Sequence, residues 1–295
     1  MPTSNTVAPP NFLLDPMLSA WLREDIGRGD RTTDALTSSS ALNQAATVQA
    51  KWVCKADGVV AGLAIAPRVF QLLNPVVTFE LTADEGQRCE RGQTLALIEG
   101  PMNALLTGER VALNLAMRLS GIATLTRQYA DAIADLPAQL VDTRKTTPGL
   151  RVLEKYATQV GGARNHRLGL DDGVMIKDNH IAAAGGITQA IKQIRDRIPY
   201  PLTIEVETES LRQVREALDS KADIIMLDNM SPQDMAEAVQ VIRRQSDRVK
   251  IEASGNVTLE TIRAVAETGV DYISTSAPIT RSPWLDLSMR MAPLQ

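Results

Sequence analysis

Apolar and polar positions follow two different rhythms along this chain of 295 residues. From Leu42 to Gly100 the apolar residues come in short runs broken by glycine and charged turns. "ATVQAKWVCK", "VVTFEL" and "TLALIEG" predict strands, "DGVVAG" a turn and strand, and "IAPRVFQLL" a short helix; the glycine-rich "ADEGQRCERGQ" separates two of the strands. The texture predicts a small, mostly antiparallel module. Pro101 then opens a long helical stretch, in which Leu105, Leu106, Val111, Leu113, Leu115, Ala116, Leu119 and Ile122 recur at spacings of three and four. Gly121 is a candidate break that would divide it into two helices.

After Leu140 the pattern changes to strand, loop and helix in regular succession. "QLVDT" precedes a helix from near Leu150, and "GVMIKDNH" one from about Ile187 to Arg197. "LTIEVE" precedes Ser210 to Leu218, "ADIIMLDN" precedes Pro232 to Arg244, "VKIEASGN" precedes Thr258 to Glu267, and "VDYISTS" closes the series. Short β-branched strands alternating with helices predict parallel βα units that close into a barrel.

In such barrels, chemistry sits where strands end and βα loops begin. Each strand here ends in polar residues: Asp142, Arg144 and Lys145; Lys177, Asp178, Asn179 and His180; Glu205 and Glu207; Asp228 and Asn229; Ser254, Gly255 and Asn256; Ser274, Thr275 and Ser276. One wet strand end is unremarkable. Six in succession predict a single polar mouth.

Composition narrows the guests of that mouth. The chain is 44% apolar, 22% charged and carries a net charge of -4, the mix of a packed globular protein whose acidic balance disfavours nucleic acid and anionic membranes as partners. Aromatic residues are 3%, too few for base stacking. No apolar run reaches the length of a membrane span. The start, "MPTSNTVAPPNF", lacks a basic and an apolar region and reads as a loose tail rather than a signal peptide. Two cysteines, Cys54 and Cys89, with no CxxC spacing, fit a reducing, cytoplasmic setting.

Against an acidic background, Arg144, Lys145, Arg167 and Lys177, with His166 nearby, form a cationic sector. Arginine forks and compact ammonium groups suit carboxylates and phosphates, and four cations exceed the need of one carboxylate. A dicarboxylate, or a carboxylate with phosphates, is the natural guest. The bland alternatives are a surface ion pair of Arg167 with Asp171 or Asp172, and of Lys177 with Asp178. Glu207 and Asp228 form an acidic pair suited to the hydroxyls of a sugar or to Mg²⁺ that arrives with substrate phosphates. "SGN" before a helix offers backbone amides for phosphate, though on its own the motif is weak and a plain tight turn is the more frequent explanation. His166 and His180 are the only histidines, and neither spacing suggests a zinc site. Lys177 as a Schiff-base nucleophile is chemically open. The hairpin "ADEGQRCERGQTLALIEG" resembles a lipoyl or biotinyl carrier segment but lacks the modifiable lysine.

Taken in order, "EDIGRGDRTTDAL", "GERVALNLAMRLSGIATLT", "DTRKTTPGLRVLEKYA", "GGARNHRLGLDDGVMIKDNH", "IEVE", "IMLDNMSP", "EASGN" and "GVDYIS" resemble the quinolinate phosphoribosyltransferase family over nearly the whole chain. The resemblance implies an α/β fold. An N-terminal α+β open sandwich with long helices (1–138) would be followed by an incomplete α/β barrel of parallel strands (139–276) and a segment (277–295) that packs back on the N-terminal domain. It implies transfer of phosphoribose from phosphoribosyl diphosphate to quinolinate with decarboxylation, giving nicotinate mononucleotide, diphosphate and CO₂ in NAD biosynthesis. Mg²⁺ would accompany the diphosphate, held by Glu207 and Asp228 largely through substrate and water, and no organic cofactor is expected. A homodimer with shared sites is implied, with assembly beyond the dimer left open. By motif, Arg110 would reach the partner's site. Arg144, Lys145, His166, Arg167 and Lys177 would grip the quinolinate carboxylates. Glu207 and Asp228 would lie by the ribose, and Ser254, Gly255, Asn256, Ser274 and Ser276 would take phosphate groups. The catalytic set so implied is Lys145, Lys177, Glu207 and Asp228. Two positions depart from the family pattern: Ser276 stands where a glycine is usual, and Arg281 where a histidine is usual.

Overall fold

Leu14, Leu18 and Leu22, four residues apart, place three buried side chains on one face of helix α1 (Asn11–Ile26), the spacing an amphipathic helix requires. The computed structural model describes residues 6–37 and 47–292. Residues 1–5 of the expected loose tail, and Ala46 at the head of the first strand, lie outside them; the last two residues of that tail, Asn11 and Phe12, are already helical. Two compact units emerge. One comprises Met1–Leu125, Val152–Gly161 and Ser282–Gln295; the other comprises Thr126–Arg151 and Gly162–Arg281.

The first unit holds α1, α2 (Arg31–Thr37) and an antiparallel sheet built from β1 (Thr47–Cys54), β3 (Thr78–Leu81), β5 (Thr94–Pro101) and β12 (Leu287–Met291) in the order β12-β1-β5-β3. Two short strands, β2 (Gly58–Val59) and β4 (Arg88–Cys89), pair separately, and α3 (Ala66–Leu73) follows β2. Strand β1 alternates exposed and buried residues before its buried end, so the period-2 pattern sets one face inward. There Trp52 meets Phe79 edge to face with ring centroids 5.3 Å apart, the arrangement that aromatic quadrupoles favour. Strand β4 lies inside the stretch expected to be only a separator.

Helix α4 (Met102–Asp131) runs unbroken through Gly121, contrary to expectation. The glycine answers a packing demand instead. A Cβ at position 121 would stand 2.0 Å from the carbonyl oxygen of Pro283, so only a residue without a side chain lets that backbone approach.

The second unit is a six-stranded parallel sheet. Its strands are β6 (Gln139–Val141), β7 (Val174–Ile176), β8 (Ile204–Thr208), β9 (Ile224–Asp228), β10 (Lys250–Ser254) and β11 (Tyr272–Ser274), in the order β6-β11-β10-β9-β8-β7. Among the described residues β6 and β7 remain its edges, so the expected closed ring is an incomplete one. Arg164 forms an isolated parallel bridge to Val141 at the β6 edge. Helix α5 (Arg151–Gly161) follows β6; α7 (Ile187–Arg195), α8 (Leu211–Asp219), α9 (Pro232–Gln245) and α10 (Ile262–Ala266) are the crossovers. Ser210 and Ser231 cap α8 and α9 by accepting hydrogen bonds from the amides of Gln213 and Asp234, as short hydroxyl side chains do at helix starts.

Two helical expectations shift. An additional helix, α6 (Asp178–Ala184), comes directly after β7 and is stopped by Gly185 in the left-handed conformation. Helix α10 occupies only the end of its expected span, because Thr258 to Thr261 form a turn stitched by Thr258 N–H to Thr261 Oγ1. A four-residue helix, α11 (Ala277–Thr280), follows β11.

Candidate active site

Strand parity builds the site. On β8 the residues Ile204, Val206 and Thr208 are buried on the helix side, which sends Glu205 and Glu207 to the inner face. The same alternation directs Met226 and Asp228 of β9, Glu252 and Ser254 of β10, and Ser274 of β11 inward. The β7–β8 register pairs Met175 with Glu205 and Ile176 with Val206; one residue further on, Lys177 arrives beside Glu207. Asp142, Met175, Lys177, Glu207, Met226, Asp228, Glu252, Ser254 and Ser274 all line one cavity of about 690 Å³, within the size range of a small-molecule site.

Arg144, Lys145, His166, Arg167 and Lys177 line this same cavity, so the cationic sector is a real assembly. Arg167 does not form the surface ion pair weighed above. Its Nη1 donates to the carbonyl of Gly173, while Asp172 accepts from the amide of Leu168. Burial lowers the Arg167 pKa, and the neighbouring Arg144 charge lowers it further, the signature of cations held together out of water. Lys177 pairs with Glu207 at 2.5 Å rather than with Asp178. Asp178, Asn179 and His180, expected at the mouth, do not line the cavity; His180 Nδ1 accepts the Lys177 amide at the start of α6. Arg110 is an exposed residue of α4, in the first unit, and does not line this cavity.

Asp142, which spacing placed among the mouth charges, is buried at 2% exposure and acts from beneath. It accepts from Asn165 Nδ2 at 2.7 Å and from the His166 amide at 2.8 Å, fixing the segment that carries His166 and Arg167. His166 Nδ1 accepts the amide of Arg167. Its proton therefore sits on Nε2, 3.0 Å from Glu205 and 3.6 Å from Glu252. These three residues bring potential ligand atoms within 4.8 Å of one another, a convergence the histidine spacing did not suggest. Burial and then the Glu205 charge push Glu252 up to about 7.

The acidic pair also meets. Asp228 is raised above its ordinary pKa, first by burial and then by the charge of Glu207. Two carboxylates that repel each other at the cavity wall are the donor set a divalent cation relieves, so these residues fit Mg²⁺ delivered with phosphates. Next to them, Asn229 and Asn256 adopt positive φ of 54° and 51°, and Gly255 has φ 93°. Asn256 Nδ2 donates to Asn229 Oδ1, tying the β9 and β10 loops together. A Cβ on Gly255 would lie 2.2 Å from Asn229 Oδ1. The glycine is thus required by both conformation and space. Ser254, Gly255, Asn256, Ser274, Thr275 and Ser276 form one side of the cavity, and Thr280 and Arg281 extend it. Both departures from the family pattern, Ser276 and Arg281, therefore face the site.

The sequence reading missed the buried floor. Glu252 lies two residues before Ser254 on the same strand, so parity alone marks it as inward. Asn165 carried no such signal, because its role depends on the fold bringing the loop after α5 against Asp142.

Residues 30–120 match the quinolinate phosphoribosyl transferase N-terminal domain, and residues 122–290 match the C-terminal domain of the same family. The chain is 58% identical over 290 residues to a probable nicotinate-nucleotide pyrophosphorylase [carboxylating] of Synechocystis sp., covering 98% of this chain and 96% of that protein. It is 45% identical to the Bacillus subtilis protein of the same description, over 94% and 92% of the two chains. The crystal structure of NadC from Streptococcus pyogenes superimposes with a TM-score of 0.92 at 40% identity, covering 98% of this chain and all of that one. Among the described residues no helix is long and apolar enough to cross a membrane. With both domains of the family matched, over residues 30–120 and 122–290, the chain belongs to the quinolinate phosphoribosyl transferase family.

Proposed function

We propose that this chain transfers phosphoribose from phosphoribosyl diphosphate to quinolinate and releases CO₂ and diphosphate, forming nicotinate mononucleotide for NAD biosynthesis. The observation that carries the reading is the convergence of five cationic or imidazole side chains, Arg144, Lys145, His166, Arg167 and Lys177, on a cavity that also holds Glu207 and Asp228. A small ring with two carboxylates satisfies the first group, and an activated ribose satisfies the second.

The chemistry follows from these positions. Lys145, Arg144 and Arg167 bind and orient the dicarboxylate so that its ring nitrogen faces the anomeric carbon, which contributes by proximity. As the bond to diphosphate breaks, positive charge grows on the ribose. Glu207 and Asp228 stabilise that charge, and Lys177 holds the Glu207 carboxylate in place. Bound with the diphosphate, Mg²⁺ supplies neutralisation of the leaving group. The ring nitrogen is now quaternary, so the adjacent carbon–carboxylate bond breaks with its electron pair retained on the ring carbon. That carbon then takes up one proton. The adjacent positive nitrogen stabilises that pair electrostatically, as an ylide, so the step needs no organic cofactor.

The proposal includes a homodimer in which Arg110, exposed on α4, serves the partner's site. It also includes a cytoplasmic setting, in keeping with free, buried Cys54 and Cys89. Diphosphate and CO₂ release from quinolinate, measured with and without Mg²⁺ and against nicotinate as the alternative acceptor, tests the reading. Mg²⁺-dependent release from quinolinate is expected. Preference for nicotinate defeats the assignment.

A further inference from the structure

Loss of CO₂ leaves an electron pair on the ring carbon beside the quaternary nitrogen, and the product needs a proton there. The cations of the mouth are poor sources, because their task is to stay charged against carboxylates. Beneath them lies a different group. Glu252, on β10, is 3% exposed yet lines the cavity. Its Oε2 stands 3.6 Å from His166 Nε2, and its Oε1 is buried with no hydrogen-bond partner. Glu205 Oε1 is buried and bare in the same way, so this pair of carboxyls is short of donors and favours keeping a proton between them.

Other charges around it explain why the proton resides here. Glu205, from β8, stands closer to His166 Nε2, at 3.0 Å, and its charge opposes a second negative charge on Glu252. Asp142, at the end of β6, adds a second negative charge and is occupied by Asn165 and the His166 amide. Two neighbouring carboxylates in a buried cluster cannot both ionise cheaply, so one keeps its proton. Of the two, Glu252 is the one that lines the cavity, and burial followed by the Glu205 charge raises its pKa to about 7.

We propose that Glu252 is the acid that protonates the ring carbon vacated by CO₂. In this step the O–H bond of the Glu252 carboxyl breaks and a C–H bond forms at the ring carbon. The electron pair left by decarboxylation makes that bond, and Glu252 remains as carboxylate until solvent returns a proton. No oxidant, reductant or further reactant takes part. The inference rests on the proposed reaction, since only a decarboxylating transfer creates the carbanion.

The test compares Glu252→Gln and Glu252→Asp with the unaltered enzyme, in the presence of Mg²⁺, phosphoribosyl diphosphate and quinolinate. For E252Q, kcat for nicotinate mononucleotide formation is expected to fall at least 100-fold. Its quinolinate Kd, by calorimetry, should stay within about threefold. The unaltered enzyme should lose kcat as pH rises past about 7; E252Q should be flat there, and E252D, which keeps a carboxyl group, should retain the limb at a reduced rate. A merely structural role would not erase that limb while sparing binding. An E252Q enzyme with unaltered kcat, or an E252D profile without the limb, overturns the proposal and leaves the reaction standing. If the unaltered enzyme does not release CO₂ from quinolinate, the reaction itself fails instead.

Discussion

Lys177 Nζ lies 2.5 Å from Glu207 Oε2 across the β7–β8 register. The pair sits where the cationic half of the cavity meets the acidic half. Its lysine side chain is 46% exposed and its glutamate 16%, so solvent screens it and its net worth to folding is small, about 1 kcal/mol or less. Its value is positional: the lysine keeps one Glu207 oxygen fixed beside Asp228.

That position predicts coupling. Lys177→Ala and Glu207→Gln should each lower kcat/KM for quinolinate tenfold or more. The double variant should lose less than the sum of the two, by about 1 kcal/mol, as contacting residues do in double-mutant cycles. Strict additivity in steady-state kinetics would show that the two groups act independently.

Arg167→Ala and Lys145→Ala should raise the quinolinate KM at least tenfold, about 1.4 kcal/mol, because each leaves a substrate carboxylate without its counter-charge. Melting temperatures should move by no more than a few degrees, since Lys145 is exposed and Arg167 makes one hydrogen bond to a backbone carbonyl. A variant with unchanged KM removes that residue from the carboxylate grip.

What the sequence made legible follows from periodicity. Alternating strands and helices after Leu140, and the charged residues at their ends, needed only local patterns, and the structure gathers Arg144, Lys145, Lys177, Glu207 and Asp228 around one cavity but not Asp178 or His180. Long-range demands were invisible. Gly121 looks like a helix breaker until Pro283 is found against it. His166 looks unsuited to any cluster until Glu205 and Glu252, on separate strands, meet its ring. Helix α6 was hidden because its seven residues are too few to show a period. Pairing of β12 with β1 spans most of the chain, and no local signal can carry such a register.

Gly255→Ala should damage the phosphate side selectively. Its φ of 93° strains any L side chain, and the added methyl would meet Asn229 Oδ1 at 2.2 Å. The loop pair tied by Asn256 and Asn229 must then move. The KM for phosphoribosyl diphosphate should rise more than tenfold, while quinolinate binding by calorimetry changes by less than threefold. An equal loss for both substrates would place Gly255 outside the phosphate region.

Arg110→Ala should abolish turnover without unfolding the chain, since Arg110 is exposed on a helix. Mixing it with the impaired Lys177→Ala chain should raise activity above the sum of the two variants measured alone. In a C₂ dimer with shared sites, one of the two sites in each mixed dimer receives both intact residues. Activity no greater than that sum, with mixed dimers verified by native mass spectrometry, argues against a shared site.

Stability should depend on pH through Glu252. Its pKa rises from an ordinary 4.5 to about 7 on folding, chiefly by burial and then by Glu205. Between these values the folded chain holds a proton that the unfolded chain has released. Stability from this group is therefore complete below pH 4.5 and is lost as pH climbs to about 7, by an amount on the order of 3 kcal/mol at 1.36 kcal/mol per unit. Above pH 7 the contribution is constant. Glu252→Gln removes this titration while keeping shape and polarity. The difference in unfolding free energy between E252Q and the unaltered chain should therefore widen in favour of the variant from pH 5 to pH 8. Urea titrations at the two pH values measure it. A constant difference would mean that Glu252 is already ionised in the folded protein at pH 5.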